Sequence, residues 1–220
     1  MIKLYSIPPS LYSAKVRIVL RAKQLAWQDI PPPGGYGSDE YKQIIPSGTL
    51  PAIDHDGFLL VDSEAINEYL NELQPQPPLW PEDMKARAQA RFLSRFHDTR
   101  LEPAVRALFA HVDPAQRDGD FVSRQAELIA GRIEQLVRLV DPAPFLTGSR
   151  LSLADCGYPI TFVFLEMLNE PMGLSTPLPE KLAAYFKALQ NEPSVAAELE
   201  SYRPALSAWV NSTIGQGDAS

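Results

Sequence analysis

A proline-rich segment at residues 74–83, QPQPPLWPED, divides this 220-residue chain into two regions of different character. Its four prolines fix φ and remove backbone N–H donors, so neither a regular helix nor a central strand can run through it. Domain boundaries usually fall in exposed stretches of this composition. The sequence therefore predicts an N-terminal domain over residues 1–75, a linker over 76–84 and a C-terminal domain over 85–220.

The N-terminal region mixes strand and helix patterns. IKLYSI (2–7) is short, rich in β-forming residues and followed by two prolines, which is typical of a strand. LPAIDHDGFLLV (50–61) predicts two strands joined by a tight turn at Asp56-Gly57, a dipeptide that accepts positive φ. The predicted order is strand, helix, loop, strand, strand, helix, with helices over 13–26 and 62–73 and the loop over 31–40.

Every segment after the linker has a helical pattern. Residues 84–111 predict a long helix that Pro103 should kink. Residues 152–168 are nearly all apolar and predict a buried central helix, and the tail over 215–220 should fray. The apolar stripe of the long helix contains Phe92, Phe96, Leu101, Val105, Leu108 and Phe109. Further helices are predicted over 121–140, where Leu128 is one of the apolar residues, and over 179–190, 194–201 and 204–213. The fold class is thus an α/β domain followed by an all-α helical bundle.

Charge and cysteine content limit the classes of function. The chain carries 20 Lys and Arg against 27 Asp and Glu, and this net charge of −7 argues against nucleic-acid binding and contact with anionic membranes. Its one cysteine, Cys156, excludes an intramolecular disulfide, and the histidines lack the spacing of metal ligands. Neither a signal peptide nor an apolar run of about 18 residues is visible. We expect a soluble, cytoplasmic protein without a metal.

The stretch PSLYSAKVR (9–17) places several hydroxyls at the predicted start of a helix. Ser10 or Ser13 can cap that helix, which is the ordinary role of a serine there. A helix N-terminus also presents free N–H groups and a partial positive charge, so a hydroxyl beside it can donate to a bound anion. If that anion were a thiolate, its pKa would fall. Lys15 and Arg17 either strengthen this field or face water.

Two further stretches allow both a structural and a binding interpretation. Leu50-Pro51 precedes a predicted strand, where proline requires an edge position or a cis bond that exposes the preceding backbone to a ligand. Asp62 and Ser63 stand at a helix start and can cap it. Alternatively, Ser63 and the helix amides suit a carboxylate, while Asp62 suits an ammonium group.

A capping-box pattern precedes the apolar run of the predicted central helix. Ser152 is followed three residues later by Asp155, which predicts that the helix starts here. Leu151 and Cys156 could form a weak hydrophobic staple, and Cys156 is otherwise expected to pack in the core.

Arginines recur every four residues after the linker. Such a series usually marks a solvated helix face, but an arginine beside a cleft between the domains could contact a substrate. The candidates are Arg87, Arg91, Arg95 and Arg100.

Together, these motifs resemble the cytosolic glutathione S-transferase family. PSLYSAKVRIVL, IIPSGTLPAI, VDSEAINEYL and LTGSRLSLADC stand in the order of that family's motifs, and the resemblance covers nearly the whole chain. It implies a thioredoxin-like N-terminal domain that holds glutathione, an all-helical C-terminal domain and a homodimer.

The resemblance also implies roles for individual residues. Ser10 matches the active-site hydroxyl or thiol at the start of the first helix. Leu50 matches the residue whose backbone pairs with the cysteinyl part of glutathione, and Pro51 matches the cis-proline that follows it. Asp62 and Ser63 match the pair that grips the γ-glutamyl group.

The chain departs from some classes of the family. The maleylacetoacetate isomerase-like class carries serine-serine-cysteine where this chain has Ser10-Leu11-Tyr12, so the isomerase motif is incomplete. Tyr12 stands where other classes have a catalytic cysteine, which makes it a rival donor to Ser10. The classes with a catalytic tyrosine place it where this chain has Ser6.

The resemblance implies a glutathione transferase. Glutathione, the co-substrate, would attack a small apolar electrophile as a thiolate in a cleft lined by the loop after the first strand and by residues 97–108. One alternative is a non-catalytic glutathione-binding interaction protein of the same fold. Another is a glutathione-dependent dehalogenase or isomerase.

Overall fold

The computed structural model of the chain describes residues 1–215, so all of the predicted frayed tail except Gly215 lies outside the described residues. The N-terminal region forms a four-stranded sheet in the order β2-β1-β3-β4. β1 pairs with β2 in parallel, whereas β1–β3 and β3–β4 are antiparallel. The elements are β1 (Ile2–Tyr5), α1 (Leu11–Ala22), β2 (Trp27–Ile30), α2 (Asp39–Lys42), β3 (Ala52–His55), β4 (Phe58–Val61) and α3 (Ser63–Leu73).

Two of these elements are absent from the sequence prediction. β2 is an edge strand whose central residues, Gln28 and Asp29, are exposed, so it lacks the apolar run that reveals a buried strand. α2 is a single turn at the end of the predicted loop over 31–40, where the Ser38 side chain caps it. The sequence does not predict either element, because segments of four residues carry little periodicity.

The predicted turn at Asp56-Gly57 is confirmed. Asp56 has a φ of 52° and Gly57 a φ of 92°, and the Asp54 carboxylate accepts a hydrogen bond from the Gly57 N–H at 2.7 Å. The hairpin places Ala52 opposite Val61. The start of β3 and the start of α3 therefore lie side by side at one end of the strands, which is called the sheet edge below.

The C-terminal region consists of helices, as predicted. They are α4 (Met84–Phe96), α5 (Glu102–Arg106), α6 (Gly119–Leu139), α7 (Tyr158–Met172), α8 (Glu180–Asn191) and α9 (Pro193–Gly215). No helix or strand is assigned between α3 and α4, which agrees with a linker, but the exact domain boundaries stay a prediction. Among residues 1–215, no helix has the length and apolar character required to cross a membrane.

The predicted long helix over 84–111 is continuous as far as Arg106. α4 passes at Phe96 into a π-helical turn, His97–Leu101, and this turn passes directly into α5. The Glu102 N–H bonds the His97 carbonyl five residues back, and Pro103 follows directly. The irregularity beside Pro103 is thus a π-helical turn, a feature at which helices bend, and a kink at Pro103 stays a prediction.

Other details of the predicted bundle also differ. Phe92 and Leu128 are 45% and 42% exposed, so neither belongs to the core stripe. α9 runs through Pro204 without a break, whereas the sequence predicts two helices there. Packing against α1 and α8 compensates for the hydrogen bond that Pro204 removes.

The central helix, α7, is buried as predicted but starts later. Ser152 and Asp155 form the capping box, with the Asp155 carboxylate 2.8 Å from the Ser152 N–H, yet the box caps a three-residue 3₁₀ turn. α7 begins only at Tyr158. The preceding Gly157 lies against His97, and a Cβ at that position would overlap the imidazole ring. Cys156 lies between the 3₁₀ turn and α7, so the helical position that the predicted staple with Leu151 assigned to it is wrong.

A buried ion network joins the two regions. Lys15 of α1, with 1% of its side chain exposed, lies 2.7 Å from both the Glu64 carboxylate of α3 and the Asp98 carboxylate of the π-helical turn. Ser94 also donates to Glu64, and His97 lies 2.7 Å from Asp98. Burial alone would lower the pKa of Lys15, but the charges of Asp98 and Glu64 outweigh it and raise that pKa.

A second buried ion pair lies on another side of α1. Arg17 contacts the fully buried Glu198 of α9 at 2.7 Å, and Arg21 approaches the same carboxylate at 3.4 Å. The alternative that Lys15 and Arg17 face water is therefore wrong. Neither cation faces water, and each is compensated by buried acids rather than adding free charge at the start of α1.

We predict that Lys15→Met lowers the free energy of unfolding by about 3–5 kcal/mol, because it leaves two buried carboxylates without their cation. Urea unfolding followed by circular dichroism measures the change. The matched control is Lys3→Met, which removes a half-exposed pair with Asp54 and should cost less than about 1 kcal/mol. Equal effects of the two variants would contradict the stabilising role of the network.

Candidate active site

One cavity of about 570 Å³ brings together all five site residues predicted from the sequence. It opens between the edge of the sheet and the C-terminal helices. The convergence follows from topology, because the start of α1, the start of β3 and the start of α3 all lie at this edge. The five residues are Ser10, Leu50, Pro51, Asp62 and Ser63.

Ser10 caps α1 and retains a free donor. Its Oγ accepts a hydrogen bond from the Ser13 hydroxyl at 2.9 Å and lies 3.3 Å from the Ser13 N–H. A hydroxyl has two acceptor lone pairs and one hydrogen, so these contacts leave the Ser10 hydrogen available. Capping and donation into the cavity are therefore compatible at the same residue.

Tyr12 lines the same cavity, but its hydroxyl has another partner. It donates to the Glu102 carboxylate at 2.8 Å, and the Asp98 carbonyl lies 3.3 Å away. Burial, followed by the negative charge of Glu102, raises the pKa of Tyr12 well above its usual value. Since a phenol has only one hydrogen, Tyr12 has no spare donor in this arrangement.

The Leu50-Pro51 peptide bond is cis, which selects one of the two alternatives derived from the sequence. Within residues 1–215, the backbone N–H and C=O of Leu50 form no hydrogen bond with protein atoms. Both groups belong to a residue that lines the cavity. They are available to pair with an extended peptide backbone, as in β-strand addition.

Asp62 and Ser63 present a carboxylate, a hydroxyl and a helix N-terminus together. One Asp62 oxygen, Oδ1, caps α3 by accepting from the N–H groups of Glu64 and Ala65 at 2.9 and 3.1 Å. Asp62 has a φ of 75°, a conformation that costs a non-glycine residue about 1–3 kcal/mol. The Ser63 hydroxyl has no protein partner within residues 1–215. This group of donors and acceptors suits a zwitterion.

The opposite wall of the cavity is mainly aromatic, and most of it was missed. The rings of Phe109 and Phe164 stack with centroids 4.5 Å apart, and Trp209 lies 5.5 Å from Phe109. The expectation that residues 97–108 line the cleft is right for Asp98 and Arg106 but incomplete. The added lining residues are Tyr36, Phe109, Phe164, Leu206 and Trp209. No sequence signal links them, because they come from separate segments.

Only one of the four candidate arginines lines the cavity. Arg95 does so, with 52% of its side chain exposed. Arg87 donates to backbone carbonyls of the linker, Arg91 pairs with Glu68 on the surface, and Arg100 is exposed outside the cavity lining. Arg106, which the sequence did not single out, is the second arginine of the wall.

Asp98 connects the cavity wall to the buried ion network. Burial alone would raise its pKa, but the hydrogen bond with His97 and the charge of Lys15 together hold the pKa of Asp98 well below its usual value. The carboxylate therefore stays ionised at neutral pH.

Neither a metal nor a reactive cysteine accounts for this site. In the part of the chain that the structure describes, no three His, Cys, Asp or Glu residues are grouped so that they could hold a metal ion. Cys156 is fully buried, and burial raises the pKa of its thiol.

Sequence comparisons find glutathione S-transferases and maleylacetoacetate isomerases among the relatives of this chain. Residues 4–78 match the family model described as glutathione S-transferase, N-terminal domain. The probable maleylacetoacetate isomerase 2 of Drosophila melanogaster is 30% identical over 70% of this chain and 69% of its own length. The glutathione S-transferase-like protein FUS3 of Gibberella moniliformis is 30% identical over 70% of this chain and 72% of its own length. Glutathione S-transferase Z1 of Arabidopsis thaliana is 40% identical, but the match spans only 40% of this chain and 41% of the relative.

Solved structures show the same fold. The Bombyx mori glutathione transferase BmGSTD1 superposes with a TM-score of 0.81 at 22% identity, over 97% of each chain. Glutathione transferase F7 of Populus trichocarpa gives a TM-score of 0.79 at 20% identity, over 92% of this chain and 99% of its own. At these identities the likeness concerns the fold alone.

We predict that the stabilising effect of Asp98 depends on pH. Because its folded pKa is depressed, its contribution is complete above the unfolded pKa of about 3.9 and is lost as pH falls below that value. Asp98→Asn should therefore lower the free energy of unfolding at pH 7 by about 3–5 kcal/mol and by less at pH 3. Urea titrations at the two pH values measure the difference. The variant Asp120→Asn, at an exposed position, serves as control. If Asp98→Asn lowers the free energy of unfolding as much at pH 3 as at pH 7, the pH dependence assigned to Asp98 is contradicted.

Proposed function

The chain belongs to the glutathione S-transferase family, and we propose on this basis that its cavity activates glutathione and transfers it to an apolar electrophile. Members of this family are glutathione-dependent enzymes of the transferase or isomerase type, built from a thioredoxin-like domain and a helical domain. Which residues of this chain bind glutathione, and what kind of molecule accepts its sulfur, are the two parts of the proposal.

The free hydroxyl of Ser10 carries the proposal. It lies at the N-terminus of α1, faces the cavity and retains its hydrogen. A thiol with a pKa of about 8.5 is only slightly ionised at neutral pH. A hydrogen bond from Ser10, together with the α1 amides, favours the thiolate, and each unit of lowered pKa corresponds to about 1.4 kcal/mol. Lowering the pKa by about two units raises the reactive fraction more than tenfold.

The rest of the glutathione molecule fits the sheet edge. The γ-glutamyl group carries an ammonium, which suits the free oxygen of Asp62, and a carboxylate, which suits the Ser63 hydroxyl and the start of α3. The cysteinyl backbone pairs with the free N–H and C=O of Leu50, which the cis bond to Pro51 presents to the cavity. The thiol then lies between Ser10 and the aromatic wall.

The chemical step is nucleophilic attack by the bound thiolate. The sulfur forms a bond to an electrophilic carbon held against the aromatic wall, and the leaving group departs with its electron pair. Apolar acceptors are favoured because three aromatic rings line this wall.

The similarity to maleylacetoacetate isomerases supports isomerisation as the alternative activity. In that reaction the thiolate would add to a double bond and leave again. Leu11 and Tyr12 differ from the motif of that class, which favours transfer over isomerisation. A glutathione-binding protein without turnover is the remaining alternative, and assays with aryl halides, epoxides and peroxides separate it from an enzyme.

We predict that glutathione at about 100 times its Kd raises the free energy of unfolding by about 2.7 kcal/mol, and that Ser10→Ala keeps binding but loses activity. Losing one hydrogen bond to a charged group costs about 1.5–3 kcal/mol, so kcat/KM for an aryl halide should fall about 10- to 100-fold. Thermal shift and spectrophotometric turnover are the measurements.

Tyr12→Phe is the matched variant, because it also removes one hydroxyl from the cavity wall. It should retain more activity than Ser10→Ala, since the Tyr12 hydroxyl is engaged by Glu102. Loss of activity in Tyr12→Phe but not in Ser10→Ala would move the donor role to Tyr12. If millimolar glutathione causes no thermal shift, the assignment of glutathione as the ligand of this cavity is overturned.

We also propose a homodimer that forms through an exposed apolar patch, defined here as Phe58, Tyr69 and Phe92. Phe58 is 50% and Phe92 45% exposed. The Phe58 ring packs on Tyr69 of α3 with centroids 5.4 Å apart, and the Arg91–Glu68 ion pair joins α3 to α4, the helix that carries Phe92. Exposed large apolar side chains grouped on neighbouring elements mark an association site.

We predict that Phe58→Ser converts the dimer to a monomer, as measured by size-exclusion chromatography with light scattering at micromolar concentration. The matched control is Leu128→Ser, which removes an equally exposed apolar side chain outside the patch. A monomeric wild-type chain, or an unchanged mass in Phe58→Ser, would contradict the assigned interface.

A further inference from the structure

Arg106 lines the cavity beside the aromatic wall, where its guanidinium lies over the ring of Phe109. It is the last residue of α5, and 45% of its side chain is exposed. None of the roles proposed above uses this guanidinium, although it lines the cavity directly.

The guanidinium is held in position by three neighbours. It lies over the rings of Tyr12 and Phe109, at 5.1 and 5.5 Å from their centroids. One of its nitrogens, Nη2, is 2.5 Å from the carboxylate of Glu102, which is 1% exposed. Stacking on aromatic rings and a carboxylate partner restrict a guanidinium strongly. Arg106 is therefore a pre-organised side chain rather than a freely moving surface arginine.

Most donors of Arg106 remain available. A guanidinium has five N–H groups, and Glu102 is paired with its Nη2. Within residues 1–215, no other protein atom accepts a hydrogen bond from Arg106. Asp98, the other acid that lines this wall, is paired with Lys15. The wall thus presents a fixed planar cation with open donors.

The surface next to Arg106 selects the body of a ligand. Phe109, over which the guanidinium lies, stacks on Phe164, and Trp209 contacts both rings at 5.5 and 6.2 Å. A flat apolar ligand can stack on this surface while a charged group on its rim meets the guanidinium. Bidentate pairing with a planar carboxylate is the geometry that arginine favours.

We propose that Arg106 is a carboxylate-binding residue of the acceptor site, so that aromatic electrophiles bearing a carboxylate are preferred substrates. The inference rests on the proposed transferase function and deepens it by naming a substrate class. The aromatic ring packs against Phe109, Phe164 and Trp209, and the carboxylate accepts from the open donors of Arg106. The electrophilic carbon then faces the sulfur held at Ser10.

Two probes that differ in a single group, an anionic carboxylate in one and an uncharged amide in the other, test the proposal. They are 4-chloro-3-nitrobenzoate and 4-chloro-3-nitrobenzamide, which share the ring, the nitro group and the leaving group. In both, the thiolate sulfur forms a bond to the carbon that bears chlorine, and chloride leaves with the electron pair. The measured quantity is the ratio of kcat/KM for the benzoate to kcat/KM for the benzamide. Comparing ratios between variants cancels the different intrinsic reactivity of the two probes.

The ratio should fall at least tenfold in Arg106→Gln and should fall less in Arg106→Lys, which keeps the charge but loses the planar fork. Because Arg106→Gln leaves the buried Glu102 without its cation, the double variant Glu102→Gln/Arg106→Gln is measured alongside it. The double variant should fold and show the same loss of benzoate preference. Arg100→Gln, at an exposed arginine six residues earlier and outside the cavity lining, should leave the ratio unchanged.

The outcomes separate the inference from the function on which it rests. If the wild type turns over both probes and the ratio is the same in Arg106→Gln and in the double variant, the carboxylate role is overturned while transferase activity stands. If the wild type turns over neither probe and fails to bind glutathione, the proposed function is overturned as well.

Discussion

The burial of Lys15 between Glu64 and Asp98 is the interaction on which the arrangement of the site depends. A buried lysine is tolerated only where its charge is matched, and its partners come from α3 and from the turn after α4. The network therefore fixes α1 against both regions of the chain. The cavity opens beside this junction, so its two walls are positioned by the same charges.

The network also determines the electrostatics near the start of α1. Lys15 and Arg17 follow Ser10 closely, and an unpaired cation there would have been the simplest way to stabilise a thiolate. Both are instead neutralised by buried acids. In the proposed function, stabilisation of an anion at this point therefore falls to the Ser10 hydroxyl and the helix amides, which act over short distances and depend on geometry.

The two walls of the cavity are built by different physical means. The sheet edge uses caps, a cis peptide bond and a positive φ at Asp62, which orient backbone and short polar groups. The helical wall uses aromatic packing, with Phe109 and Trp209 brought together from helices distant in sequence. The first wall suits a ligand of fixed structure, whereas the second suits the apolar acceptor that we propose, with its polar end bound by Arg106.

The sequence by itself determined the features that depend on neighbouring residues. Capping at Ser10 and Asp62 and the turn at Asp56-Gly57 follow from local hydrogen bonding and φ, so their patterns are visible in a few residues. Only the tertiary structure decided that Lys15 is buried and that Arg106 faces the cavity. The sequence could not show this, because pairing with distant acids and packing against distant rings depend on how the helices meet.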